Sequence, residues 1–126
     1  MSEHRTRAEV AGRSQGLCEL GVGRAEEMSH RLAEGRGGDW SVANITHLSS
    51  FAHRWLTLNP AKAYAGGWFV ETGVDPAQVP MWLARPYLGW WLVVEPGDGG
   101  PHILCPVDHV EAGLPAVPDL PTRRAA

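Results

Sequence analysis

From Leu17 to Glu34, wound at about 100° per residue, the apolar residues Leu17, Cys18, Val22, Ala25, Met28 and Leu32 fall in one arc, while Glu19, Glu26, Glu27, His30 and Arg31 fall opposite. The pattern predicts an amphipathic helix, weakened by Gly21 and Gly23 and ended by Gly35, Gly37 and Gly38. A second helix is predicted from about Trp40 to Leu58, capped by Asp39. Val42, Ile45, Leu48, Phe51, Ala52, Trp55 and Leu56 share its apolar arc, and Thr46, His47, Ser50, His53 and Arg54 its polar one. Asn59-Pro60 places proline at the first position of a third helix, running through Tyr64, Trp68 and Phe69 to Gly73. Asp75-Pro76 repeats that signal, but Pro80 would break the helix, so a single turn restarting at Pro80 and ending before Pro86 is expected. Ahead of these elements, residues 2–16 offer only Ala8, Val10 and Ala11 for burial and read as a frayed helix or a flexible arm.

The pattern then changes. Gly89–Glu95 is a β-favouring run, Pro96–Pro101 is dense turn chemistry, and His102–Val107 is a second run, together predicting an antiparallel β-hairpin. An isolated hairpin is marginal in water, so it must lean on the helices through Trp90, Leu92 and Val94 or through Trp91 and Val93. Beyond it, proline follows an apolar residue at intervals of three, the polyproline II period, which would line up Leu114, Val117 and Leu120 on one edge. Pro118 to Arg123 has the proline spacing and trailing arginine of a peptide that docks in an aromatic groove; packing on its own domain and disorder are the competing readings. The expected fold is therefore a small single α+β domain of about three helices, a C-terminal antiparallel hairpin and an extended proline-rich tail. Its organisation is a flexible arm at 1–16, a domain at 17–112 and the tail at 113–126.

Composition narrows the function classes. At 126 residues and 44% hydrophobic content, one domain with a real core is the default. The net charge of −3 is spread evenly, and no segment forms the basic footprint that nucleic-acid binding requires. Arginine outnumbers lysine ten to one and Ala, Gly and Pro abound, which suggests a high-GC bacterial or phage genome. No apolar run is long enough for a membrane span and no signal core follows the N-terminus, so a soluble cytoplasmic protein is expected. Cys18 and Cys105 match no disulfide or metal spacing and should stay as free thiols.

The densest chemistry lies between His102 and His109. In a regular strand His102 and Asp108 would face one way and Cys105 and His109 the other, so one metal could collect His102, Cys105, Asp108 and His109 only if the strand breaks at Pro106. Cys105 with His109 or His102 is the corresponding candidate catalytic pair, without an identifiable oxyanion hole or orienting acid. No cofactor is otherwise implied. The competing reading places Cys105 in the core and both histidines at strand ends.

Three functions are expected in order. The first is a non-enzymatic accessory or protein–protein interaction protein, whose aromatic surface of Trp82, Tyr87, Trp90 and Trp91, rimmed by Arg85, binds a protein partner or a second copy in a homodimer. The alternative is a small enzyme or ligand-binding protein with an aromatic pocket completed by His102, Cys105 or His109. The third is a helix-turn-helix-like DNA reader built around Gly73-Val74-Asp75, although its second helix would offer only Gln78 and Arg85 to bases.

Overall fold

Ser49 Oγ accepts from the Ala52 amide and starts a helix whose next turns bury Ala52 and Leu56. In the computed structural model, which describes residues 2–122, this cap begins α2 (Ser50–Leu58). Asn59 and Pro60 then open α3 (Pro60–Ala65). An N-terminal helix, α1 (Glu3–Ser14), is capped by Ser2 and buries Thr6, Val10 and Ser14. Among the described residues there are also five short strands: β1 (Glu27–His30), β2 (Ile45–Leu48), β3 (Met81–Leu83), β4 (Gly89–Val94) and β5 (Ile103–Pro106). Three helices and two small antiparallel sheets, β1-β2 and β3-β4-β5, make this an α+β domain.

Several predicted elements are corrected. The helix expected over 17–34 is instead a turn, closed by pairing of Leu17 with Arg24, followed by β1, because Gly16, Gly21 and Gly23 adopt left-handed backbone conformations that a helix cannot contain. The helix expected from Trp40 starts ten residues later. Asp39 Oδ1 does accept the Ser41 amide, but Val42–Asn44 forms a 3-10 turn and 45–48 pairs with β1, where Thr46 is buried rather than solvated. The third helix ends at Ala65 and does not reach Gly73: a Cβ on Gly67 would stand 2.0 Å from the Pro80 carbonyl oxygen, so the backbone turns there to bring Trp68 inward. Pro76–Gln78 is a 3-10 turn and the next residues are strand β3, so the recognition helix of a helix-turn-helix is not formed. β4 pairs not only with β5 but with β3, giving three strands where two were expected. Within the arm expected over 1–16, Glu3–Ser14 forms α1, which buries Thr6, Val10 and Ser14.

Residues 114–121 lie against the rest of the described chain. Trp90 Nε1 donates to the Pro115 carbonyl at 2.8 Å, Pro118 and Pro121 are buried, and Leu114 and Leu120 are half-buried against the core. Val117 is exposed, so the predicted common edge of Leu114, Val117 and Leu120 does not face one surface. Arg123 of the tail motif lies outside the described residues.

One buried arginine joins these pieces. Arg31, 3% exposed, donates to the carbonyls of Gly67 (2.7 Å), Ala43 (2.7 Å), Pro76 (3.0 Å) and Val79 (2.8 Å), which belong to three separate loops. Burial, with a smaller contribution from the charge of Arg13, pulls its pKa down to about 9, so it remains a cation at neutral pH. Asn44 supports the same junction by exchanging hydrogen bonds with both backbone groups of Leu32.

Candidate functional site: a groove between α1 and the β4–β5 strands

The residues from His102 to His109 do not gather into one site. β5 places Cys105 opposite Leu92, on one sheet face, and Leu104 opposite Val93, on the other. After Pro106 the chain does leave the strand, but it turns on itself. Asp108 Oδ1 accepts the amides of Val110 (3.0 Å) and Glu111 (3.3 Å), and His109 Nδ1 lies 3.2 Å from the Leu114 carbonyl. His102 turns the opposite way, to α1, where its Nδ1 is 2.7 Å from Glu9 Oε2 and its backbone amide donates to the same oxygen at 3.2 Å. Among the described residues no three His, Cys, Asp or Glu side chains converge as metal ligands.

The expected aromatic surface divides in the same manner. Trp82 and Trp90 face each other across β3 and β4 and are each 4% exposed. Arg85 is turned to the Gly16–Arg24 loop, where its guanidinium donates to the carbonyls of Cys18 (3.3 Å) and Gly23. Trp91 and Tyr87 remain at the surface, linked by a 3.1 Å hydrogen bond from Trp91 Nε1 to the Tyr87 carbonyl, with Tyr87 44% exposed and the adjacent Leu88 69% exposed.

These two remnants meet in one concavity. A groove of about 540 Å³ runs between α1 and the strand pair; Trp91, Val93 and Leu104 line it from the sheet, and Glu9, Gly12 and Arg13 from one face of the helix. Tyr87, Val42, Pro101 and His102 complete the wall. Gly12 contributes space: a Cβ built there meets nothing within 4 Å. The groove has the size and the mainly apolar, sparsely polar lining of a binding site. A second cleft of about 570 Å³ shares Val93 and His102 with it and carries Asp39, Asp75 and Glu95 against Arg36.

Behind the groove, polar contacts fix the angle of α1. Arg13 forms a two-pronged pair with Glu19, with both contacts at 2.7 Å, and also donates to the Ile45 carbonyl at 2.8 Å; Glu19 Oε1 in turn accepts the His47 amide at 2.9 Å. Ser14 Oγ is 2.7 Å from His47 Nδ1. Burial lowers the His47 pKa from its ordinary 6.5, Glu19 opposes that shift, and the charges of Arg13 and Arg7 add to it. His47, expected at the solvent, is thus part of the α1 anchorage. His53 lies 3.1 Å from Glu27 on the other side of α2.

Sequence reasoning missed Glu9, Gly12 and Arg13, because they sit on a segment with little to bury. The one available signal was their i, i+3, i+4 spacing, which places the three on one helical face. No described helix is long and apolar enough to cross a membrane. The chain matches no known family model, and no curated protein or solved structure shows significant similarity to it.

Proposed function

We propose that this is a non-enzymatic binding protein that captures an apolar group of a protein partner in the groove between α1 and the β4–β5 strands, with Trp91 and Tyr87 as aromatic anchors. The observation that carries this reading is the joining of the two surface aromatics with Val93 and Leu104 in one concavity of about 540 Å³. Exposed Leu88, beside Tyr87, extends the apolar contact at its rim. Binding is favoured over covalent catalysis because the lining includes no serine, threonine or cysteine for the His102–Glu9 pair to activate. The anchoring of α1 by Arg13, Ser14 and Val10 supports a pre-formed site, which lowers the ordering cost of association. On this reading the protein acts in the cytoplasm, where Cys18 and Cys105 stay reduced.

The test is an NMR titration of the full chain with the neutral amphiphile 4-phenyl-1-butanol. The Trp91 indole and the amides of Val93 and Leu104 are expected to shift together, and Gly12→Leu, which fills the open space over the helix, to abolish the shifts with the spectrum still folded. Shifts scattered over the surface, or unchanged in Gly12→Leu, overturn the reading.

A further inference from the structure

The polar inventory of the groove is one-sided. Most of its donors are engaged: Trp91 Nε1 by the Tyr87 carbonyl, four of the five Arg13 guanidinium N–H groups by Glu19 and the carbonyls of Ile45 and Val42, and both the Nδ1 and the amide of His102 by Glu9 Oε2. A carboxylate can only accept, so its contact with Nδ1 places a proton there, and in the neutral ring Nε2 is then an acceptor. Glu9 Oε1 and His102 Nε2 have no partner among the described residues. Apart from the rotatable hydroxyl of Tyr87 and one Arg13 N–H, the open side-chain groups of the groove are thus acceptors.

Its charge points the same way. Arg13 is neutralised by Glu19, which leaves the Glu9 carboxylate as the open charge on the wall. The adjoining cleft, which shares Val93 and His102 with the groove, adds Asp39, Asp75 and Glu95 against Arg36 alone. Aromatic ring faces, here Trp91 and Tyr87, also attract cations.

Resting on the groove as the binding site, we infer that its occupant is a partner segment bearing a lysine or arginine, whose aliphatic stem lies along Trp91 and Leu104 and whose cationic head is held by Glu9 and His102. Such a side chain matches both halves of the groove, because its stem is apolar and its head is donor-only.

Three probes with one apolar body separate the contributions: 4-phenylbutylamine, 4-phenyl-1-butanol and 4-phenylbutanoic acid, titrated into the full chain. The amine is expected to bind about tenfold more tightly than the alcohol, the range of one charge-assisted hydrogen bond, and the acid more weakly than the alcohol. Glu9→Gln should erase the amine's advantage over the alcohol. An acid that binds as well as the amine, or an amine advantage that survives Glu9→Gln, overturns the inference. The amine–acid comparison on the unmodified chain decides the matter even if Glu9→Gln does not fold. The peptide Ac-Leu-Lys-Leu-NH2 is expected to bind and its norleucine counterpart to bind about tenfold more weakly. A groove that takes the amine but excludes the lysine peptide overturns a protein segment as the occupant. Failure of all three small probes instead removes the groove itself, which is a distinct result from the alcohol and amine binding equally.

Discussion

Replacing Arg31 with methionine tests what holds the loops of this fold together. The guanidinium is buried and makes four hydrogen bonds, all to main-chain carbonyls, with no carboxylate paired to it among the described residues. Methionine roughly preserves the apolar stem and removes every donor. Two of the abandoned carbonyls, those of Gly67 and Ala43, are in buried bonds, and each orphaned group costs about 1–3 kcal/mol. The carbonyls of Pro76 and Val79 are in part-buried bonds and can recover water, which reduces their share. Relief of the buried cation works against these losses. The balance is a destabilisation of about 3–5 kcal/mol, a large part of the roughly 6–19 kcal/mol expected for 126 residues. Arg31→Lys keeps the charge but gathers its three donors on one nitrogen, which cannot span carbonyls from three loops, so about 2 kcal/mol or more should still be lost. Urea unfolding followed by tryptophan fluorescence measures both changes, with the m-value unchanged if the unfolded chain is unaffected. An Arg31→Met variant within about 1 kcal/mol of the parent would refute the role given to these four bonds.

The Arg13–Glu19 pair is expected to behave as a unit. Arg13→Met or Glu19→Gln alone should cost about 3–5 kcal/mol by leaving a buried partner exposed to an apolar surrounding, while the double variant should cost clearly less than the sum, measured by a double-mutant cycle. Glutamine keeps an oxygen for the His47 amide, so that contact does not confound the cycle. For His47, the lowered pKa means that the unfolded chain takes up a proton before the folded one does. Stability should therefore be full above pH 6.5 and fall as the pH drops below it, and His47→Gln should flatten that dependence in thermal melts across the range. Gly12→Ala should raise stability by about 0.5–1 kcal/mol, since the added Cβ meets nothing and the helix interior loses a glycine; an unchanged or lower melting temperature would contradict the placement of that face.

The α+β class was legible because β-favouring runs and helix start signals are local. Asn59-Pro60 opens α3, and Gly89–Glu95 contains β4, each within a residue or two of where the pattern placed it. The first sheet was not legible. A four-residue strand presents only two side chains per face, too few for a period of two to stand out, and Leu17, Ala25, Met28 and Leu32 happen to satisfy a helical arc as well. Polarity also misled where it mattered most. Glu19 and Arg31 were assigned to a solvent face, yet Glu19 is fully buried against Arg13, and Arg31 is the junction of the loops. A charged side chain can be central when its partners are distant in the chain, and nothing in its neighbours announces that.

The same reasoning explains why the chemical density of His102–His109 was a poor guide to a site. Strand geometry sends adjacent side chains to opposite faces, so crowding along the sequence works against convergence in space. Cys105 and Leu104 part company for that reason, and beyond the end of the strand, where the Val107 amide still bonds to the Trp90 carbonyl, Asp108 and His109 enter only a turn that uses them to satisfy its own backbone. His102 finds its partner 93 residues away, in a helix whose weak apolar pattern had marked it as an arm. What made that helix structural was polar: Thr6 donates to the Trp40 carbonyl, Arg13 reaches Glu19 and Ser14 meets His47. Hydrophobic periodicity sees none of these contacts, so it passed over the helix that forms one whole wall of the groove.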